Sequence, residues 1–310
     1  MYKYFPVILF IVYLVGMTAL MVWQGIGLAP DRYFAVLILG SLLVKRTRQF
    51  LLDWLPFLFI LLAYDFLRGF ADTLGGRVRY HELINADLSL FNGVLPTAYL
   101  QSIFYKPGHL QWYDFSLTVV YFLHFVLPLG SGYLLWLKNR AKFREFTIAL
   151  LLLSYLAWVT YVAFPAAPPW LAQEKGYISG VTKIMSKTFS AFPEKISLPT
   201  IYYKFNPNPV AAMPSMHSAY PFLVLLFCVS YFKLKGLFFV PYALTVWFAL
   251  VYLGEHYVID EIVGVTYATI VFILTRIIFT HQIYIKRRIA EFAAFIKSSS
   301  INLAKHFKLA

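Results

Sequence analysis

The stretch FTIALLLLSYLAWVTYVAF, Phe146–Phe164, decides the fold class of this chain. It contains no charged residue, and a helix needs about 20 apolar residues to cross the hydrocarbon core of a bilayer. The whole chain has the same character: of its 310 residues, 60% are hydrophobic and 13% are charged. Soluble domains are about a quarter charged. The sequence therefore predicts an all-α fold, a polytopic membrane helix bundle.

Similar apolar stretches occur on both sides of this one and predict about eight transmembrane spans, with six as the lower limit. The second is the weakest, because Pro30, Asp31 and Arg32 interrupt its start. The predicted spans are Tyr4–Trp23, Gly27–Val44, Phe50–Leu67, Phe115–Leu137, Phe146–Phe164, Ser218–Phe232, Leu237–Gly254 and Tyr257–Thr280.

Lysine and arginine are concentrated on one side of the predicted bundle. Basic clusters follow the second, fourth and sixth spans and fill residues 286–310, whereas the opposite side is nearly neutral. Because basic residues are retained on the cytoplasmic side, we expect a multi-pass protein of the cell membrane with both termini in the cytoplasm. The net charge of +13 then reflects topology and contact with anionic lipids. No nucleic-acid partner is predicted, and the oligomeric state is left open.

Two long segments, Arg68–Asp114 and Pro165–Pro214, are predicted to face outward. Long loops are uncommon unless they are functional or disordered, and the aromatic and aliphatic composition of these two argues against disorder. Leu83–Tyr105 is predicted as an interfacial or re-entrant helix that is interrupted near Pro96. The chain is accordingly divided into N-terminal spans with the first outward segment (1–114), a six-helix-type core (115–285) and a basic cytoplasmic tail (286–310).

Two of the seven histidines stand at the outer ends of predicted spans. Pro214-Ser-Met-His217 opens the sixth span, where Ser215 can cap the helix and the helix N-terminus can bind phosphate oxygens. His256 and Asp260 are four residues apart, so a helical start of the eighth span places them on one face. The carboxylate can then accept a hydrogen bond from Nδ1–H of His256, which leaves Nε2 unprotonated as a nucleophile. His217 can protonate the leaving oxygen.

This constellation predicts a phosphoryl-transfer site that needs no metal or cofactor, and three alternatives stay open. Interfacial histidines and His–Asp pairs also occur as purely structural features, although ionisable residues in membrane spans are functional by default. A metal site built from the same residues lacks a supporting thiolate or second carboxylate cluster. A transporter would use these groups as a relay, but no internal repeat is present.

At these motifs the chain resembles the type-2 phosphatidic acid phosphatase superfamily, whose second motif is Pro-Ser-x-His and whose third ends in His-x-x-x-Asp. Within that superfamily it is most similar to the branch of fungal inositol phosphorylceramide synthases. The stretches that carry this closer similarity are Tyr121–Pro128, Phe164–Trp170 and Val210–Ser218. The resemblance covers roughly residues 114–264.

The resemblance implies that His256 forms a phosphohistidine, that Asp260 orients it and that His217 is the acid–base partner. It further implies an enzyme of the bilayer that moves a phosphoryl headgroup from a phospholipid donor to an alcohol, acting at the outer leaflet. With water as the acceptor, the same site is a lipid phosphatase.

The chain departs from the phosphatase branches, which carry Lys-x6-Arg-Pro upstream and a Ser-Arg pair shortly before the third-motif histidine. Neither is present, which favours the synthase-like branch and requires phosphate-binding cations from elsewhere. Arg68 is the first candidate because its guanidinium can bind phosphate bidentately, and it is equally well explained as an interfacial anchor. Further candidates for substrate binding are Lys204, Ser215, Asp114 and His124, of which the last two also fit a polar pair within the bundle.

Overall fold

The structure of the chain is a computed structural model that describes residues 47–74, 76–191 and 208–306, together with the single residues 12, 15, 16 and 19. Side chains are described as far as Gln282. Apart from those four single residues, the predicted span Tyr4–Trp23 lies outside the described residues, as do the predicted span Gly27–Val44 and the candidate Lys204.

Within these ranges all regular structure is helical, as the sequence predicts, and no strand is present. The helices are α1 (Thr47–Gly69), α2 (Ala71–Leu74), α3 (His81–Leu90), α4 (Pro96–Phe104), α5 (Trp112–Lys138), α6 (Arg140–Ala163), α7 (Pro169–Glu174), α8 (Ile184–Ala191), α9 (Met216–Phe232), a 3₁₀-helix (Lys233–Phe239), α10 (Val240–Tyr252) and α11 (Val258–His306).

Four helical stretches of the described chain are long and apolar enough to cross a membrane, and the bent helix α5 makes a fifth if its halves form one span. One of the four stretches contains both α9 and α10, which the sequence predicts as two separate spans. With α5 included, the five candidates therefore correspond to six of the predicted spans. The chain is thus a multi-pass membrane helix bundle, while the total of about eight spans stays a prediction. The four stretches are Gln49–Gly69, Arg140–Ala163, Met216–Tyr252 and Val258–Gln282.

Helix α5 bends by 45° between its halves, Trp112–His124 and Val126–Lys138. Pro128 has no N–H to donate to the carbonyl of His124 four residues earlier, and its ring crowds that carbonyl. A proline kink therefore explains the bend. The kink lies at His124, which is one of the candidate site residues.

The largest buried cluster among the described residues contains side chains of α1, α5, α6, α9 and α11, with several aromatic rings from the first three of these helices. Trp54 is almost fully buried, and its ring centroid lies 5.1 Å from that of Phe143. Lipid tails are as apolar as these side chains, so close packing rather than the hydrophobic effect holds such helices together. At one end of this cluster, Arg140 forms an ion pair of 2.5 Å with Asp53.

Helices α9 and α11 approach each other at their first turns, because Gly264 leaves room for the backbone of α9. A Cβ atom at Gly264 would lie 2.4 Å from the carbonyl oxygen of Ser215. The backbone N–H of Ser215 donates to the carbonyl of Asp260 at 3.0 Å, and the Ser218 hydroxyl donates to that of Glu261 at 3.3 Å. The two motifs identified in the sequence are therefore in direct backbone contact.

In their described residues, the two segments that the sequence predicts as outward-facing contain short helices, and a backbone pairing joins one segment to the other. Ala166 pairs in parallel with Arg79 on one side and with Ala211 on the other. The predicted interruption at Pro96 is present, since α3 ends at Leu90 and α4 begins at Pro96. These connections fix the strip of chain that leads into Pro214 and α9.

Candidate active site

The His256–Asp260 pair lies where the hairpin from α10 enters α11. Gly254 turns the chain there with a φ of +82°, a conformation that L side chains rarely adopt. The Nδ1 atom of His256 lies 3.4 Å from Oδ2 of Asp260, and the N–H of Tyr257 donates to the same oxygen at 3.0 Å. Asp260 is completely buried. The predicted i,i+4 pair is therefore formed, with its carboxylate also capping the start of α11.

His217 meets this pair from the first turn of α9. Its Nδ1 atom lies 3.0 Å from Nε2 of His256, on the side of the imidazole opposite Asp260. Ser215 caps α9, because its hydroxyl oxygen accepts from the N–H of Ser218 at 3.3 Å. The structure thus brings all three principal sequence candidates together and gives Ser215 a helix-capping position.

Tyr121 completes the row of side chains and is a residue that the sequence analysis did not single out. Its hydroxyl lies 2.7 Å from Nε2 of His217, and the two rings are stacked with centroids 4.5 Å apart. Tyr121 opens one of the stretches that resemble the synthase branch, which was the available signal for it. The row is therefore Tyr121, His217, His256 and Asp260.

His124, which the sequence analysis named as a candidate for substrate binding, lies beside this row. Its Nδ1 atom is hydrogen-bonded to the carbonyl oxygen of Tyr121, and its ring centroid lies 4.1 Å from that of His217. Because Nδ1 faces a carbonyl oxygen, it carries a proton and donates it in this hydrogen bond. His124 therefore supports His217 by ring contact.

Arg68, at the end of α1, brings a positive charge to the same region. Its guanidinium donates to Asp65 at 3.2 Å, and its carbonyl oxygen accepts from the side chain of Asn208 at 2.8 Å. The charge of Arg68 acts electrostatically on both His124 and His217. The first sequence candidate for a phosphate-binding cation is thus held near the histidines.

Asp114 does not lie in this row, although the sequence analysis proposed it for substrate binding. One carboxylate oxygen accepts from the N–H of Gln111 at 2.7 Å and completes a capping box at the start of α5. The other accepts from the hydroxyl of Tyr252 at 2.5 Å. Both oxygens are engaged, so Asp114 forms a satisfied polar pair, with Tyr252 rather than with His124 as its partner.

Asp87 is a second residue that the sequence did not reveal. Its buried carboxylate accepts from the N–H groups of Val258 at 3.1 Å and Ile259 at 2.9 Å. Asp87, which lies on α3, therefore caps the N-terminus of α11. Burial raises the pKa of the Asp87 carboxyl to about 6, against the opposing effect of these two hydrogen bonds. Asp87 thereby anchors the turn that presents His256 and Asp260.

The Pro-Pro-Trp segment packs over the same hairpin. The N–H of Trp170 donates to the carbonyl of Gly254 at 3.1 Å, and the ammonium group of Lys183 lies 3.5 Å from the centre of the indole ring. Burial raises the pKa of the neighbouring Glu255 carboxyl, while the charges of Lys183 and His256 act in the opposite direction.

Within the described part of the chain, no group of three His, Cys, Asp or Glu side chains is arranged to hold a metal ion.

A comparison with protein families identifies the family of this chain. The model of the PAP2 superfamily matches residues 87–274, which is more than half of the chain and includes every histidine of the row. The chain belongs to the PAP2 superfamily. This confirms the family that the sequence motifs predicted.

Two curated relatives place this PAP2 superfamily member beside the synthase branch. The phosphoinositol dihydroceramide synthase of Bacteroides thetaiotaomicron is 27% identical over 233 residues, which cover 72% of this chain and 75% of that protein. The inositol phosphorylceramide synthase of Candida albicans is 24% identical over 181 residues, covering 54% of this chain and 36% of that protein. No solved structure matches the chain. The predicted similarity to inositol phosphorylceramide synthases is confirmed.

Proposed function

We propose that this PAP2 superfamily protein is a lipid phosphotransferase that moves a phosphoryl headgroup from a phospholipid to a lipid alcohol through a phosphohistidine on His256. The observation that carries the proposal is the hydrogen-bonded row from Asp260 through His256 to His217. The names of the two relatives support phosphoinositol as the headgroup and a ceramide-type lipid as the acceptor.

In the first step, Nε2 of His256 attacks the phosphorus atom, and the bond from phosphorus to the diacylglycerol oxygen breaks. Asp260 accepts the Nδ1 proton of His256 in a hydrogen bond and stabilises the positive charge that develops on the ring. His217, protonated on both ring nitrogens when the phospholipid is bound, donates a proton to the departing oxygen, so that neutral diacylglycerol leaves and His217 becomes neutral. The 3.0 Å contact between His217 and His256 opens to admit the phosphate.

In the second step, His217 takes the proton of the acceptor hydroxyl, whose oxygen attacks the phosphorus atom. The bond from phosphorus to Nε2 of His256 breaks, and the histidine is regenerated. Water can replace the alcohol in this step, in which case the net reaction is hydrolysis. The synthase names of the relatives favour the alcohol.

Arg68 is the proposed cation for the non-reacting phosphate oxygens. Preorganised positive charge at a site of low dielectric stabilises the charge of a phosphoryl transition state without reorganisation. Arg68 is close enough for its charge to act on His217, which supports this role. We place no metal ion in the reaction, because the imidazoles and Arg68 already supply the nucleophile, the acid and the positive charge.

We further propose that the site faces the outer leaflet of the cell membrane and that both termini are cytoplasmic. His217 lies at the N-terminal end of α9, whereas Lys233 and Lys235 follow its other end. The retention of basic residues in the cytoplasm supports this orientation.

The direct test uses purified protein in detergent with phosphatidylinositol and a dihydroceramide, and products are identified by mass spectrometry. We expect an inositol phosphorylceramide and diacylglycerol in equal amounts, with and without EDTA. Release of inositol phosphate and diacylglycerol without inositol phosphorylceramide would show that water is the acceptor and would replace the transferase with the hydrolytic enzyme. Absence of both products with every phospholipid donor would contradict the proposal.

A further inference from the structure

A groove of about 670 Å³ lies outside the histidine row, between the stretch Phe91–Leu100 and helices α10 and α11. Its walls are mainly apolar and include Val94, Tyr99, Trp247 and Phe248. A groove of this size and lining is suited to hydrocarbon chains.

One residue of the groove wall, Glu261, carries a polar carboxyl group, which is unfavourable next to a hydrocarbon chain. The residue is 7% exposed, and its Oε1 atom has no hydrogen-bond partner among the residues that the structure describes. A buried carboxyl group without a partner is costly in apolar surroundings. A ligand that donates a hydrogen bond to Oε1 would remove that cost.

The polar end of the groove is connected to the proposed catalytic residues. Glu261 directly follows Asp260 on the first turn of α11. Its carbonyl oxygen accepts from the hydroxyl of Ser218, the residue after His217, and the indole N–H of Trp247 donates to the carbonyl of Ser218 at 3.4 Å. A lipid in the groove therefore has its polar end against the helix turns that carry His217 and Asp260.

We propose that this groove binds the acceptor lipid and that Glu261 selects acceptors that carry a second hydrogen-bond donor, an amide N–H or a hydroxyl, within a few bonds of the reacting hydroxyl. The inference rests on the proposed transferase function and goes beyond it by assigning the acceptor site. The hydrocarbon chain lies along Tyr99 and Phe248. An ester-linked lipid alcohol offers no donor to Glu261 and leaves its carboxyl unpaired.

The test is a competition between two acceptors in one detergent micelle, with phosphatidylinositol as the donor. The acceptors are a dihydroceramide, which has an amide N–H and a second hydroxyl, and a 2-acyloxyalkan-1-ol of matched chain length, in which an ester replaces the amide and the second hydroxyl is absent. Both compete for the same phosphohistidine, so the product ratio is independent of the donor step and of the amount of folded enzyme. We expect the wild type to prefer the amide lipid at least tenfold, since one buried polar group left unpaired costs about that factor.

Glu261→Leu should bring the product ratio to within about twofold of unity, and Glu261→Gln should retain a preference, because its amide oxygen still accepts a hydrogen bond. An unchanged ratio in Glu261→Leu would overturn the role of Glu261. Absence of both transfer products in the wild type would instead overturn the transferase function on which the inference rests.

The groove itself is tested by filling it. Val94 is 46% exposed and lines the groove, whereas Ile103 is 54% exposed on α4 and is not part of the lining. Val94→Trp should lower transfer to both acceptors at least tenfold, while Ile103→Trp should transfer at the wild-type rate. Equal rates for the two variants would show that the acceptor chain lies elsewhere.

Discussion

The Nδ1 atom of His217 lies 3.0 Å from the Nε2 atom of His256, although 39 residues separate them along the chain. With Asp260 ionised and both rings neutral, the hydrogen bonds of the row have one consistent direction. His256 donates to Asp260, His217 donates to His256, and the Tyr121 hydroxyl donates to His217. Proton positions follow here from the network of heavy atoms. In this arrangement the nucleophilic nitrogen is unprotonated before the substrate arrives, and His217 needs one further proton to act as the acid.

Replacing the proposed nucleophile should stop the reaction. We expect His256→Ala to have no detectable turnover and His217→Ala to lose about 10²–10⁴-fold, the usual contribution of general acid–base catalysis. Incorporation of label from a ³²P-labelled donor should give an acid-labile, base-stable phosphoenzyme in the wild type and none in His256→Ala. His281→Ala, an exposed histidine near the end of the described side chains, is the control and should be unaffected. Near-normal activity of His256→Ala would rule out the covalent mechanism.

Asp260→Asn should lower kcat by several orders of magnitude with little change in KM. Comparable substitutions in hydrolase triads lose about 10⁴-fold, because the amide favours the wrong tautomer of the histidine. EDTA should leave the wild type unaffected in the same assay. Activity that is lost to EDTA and restored by Zn²⁺ or Mg²⁺ would replace the phosphohistidine mechanism with metal-assisted hydrolysis.

Tyr121→Phe should act on His217 rather than on substrate binding. Loss of the hydroxyl leaves Nε2 of His217 without its donor, so we expect kcat to fall about tenfold, the value of a hydrogen bond of about 1.4 kcal/mol, with KM unchanged and the acidic limb of the pH profile displaced. Tyr133→Phe, on the same helix about 18 Å away by helical rise, is the matched control. Equal profiles for the two variants would make Tyr121 a packing residue only.

Asp87 should make stability fall as the pH rises, in contrast to the usual behaviour of a carboxylate. Its pKa is raised from 3.8 to about 6, so the protonated form is favoured by folding. Its stabilising contribution is complete below pH 4 and is lost as the pH rises through 6, by about 2–3 kcal/mol. Melting temperatures of wild type and Asp87→Asn in detergent measure this difference. A wild-type advantage that grows with pH would show that Asp87 acts as a charged cap.

Cysteine labelling tests the proposed orientation of the bundle. Ser179→Cys, in the exposed turn after α7, should react with an impermeant thiol reagent added to intact cells, and Ala141→Cys, at the start of α6, should not. Both are made in a Cys228→Ala background, in which the buried native cysteine is removed. After lysis, the cysteine of Ala141→Cys should react. This control would show that the cysteine is accessible to the reagent from the cytoplasmic side. The reverse pattern would place the site in the cytoplasm.

Much of the candidate site is visible in local sequence patterns. Apolar stretches predict the helices because a bilayer requires every backbone polar group to be satisfied within the segment. The i,i+4 spacing of His256 and Asp260 predicts their contact within one helical turn, and the Pro214–His217 motif predicts a helix start. Each of these predictions depends on residues that are close in the chain.

The parts that the sequence did not reveal depend on contacts between distant residues. Asp87 caps α11 across a separation of 171 residues, and no periodic sequence pattern predicts a hydrogen bond between residues so far apart. For Asp114 the sequence left substrate binding and a polar pair both open, because its partner Tyr252 comes from another helix.

The sequence by itself determined the membrane helix bundle, the family and the choice of His217, His256 and Asp260 as the principal candidates, because hydrophobic length, motifs and helical spacing are local properties. Only the tertiary structure decided that His217 faces His256, that Tyr121 joins the row and that Glu261 lies in an apolar groove. These depend on how closely α9 and α11 approach at Gly264 and on which side chains the kinked α5 presents there. Such geometry is set by packing between helices, and the order of residues along one helix does not specify it.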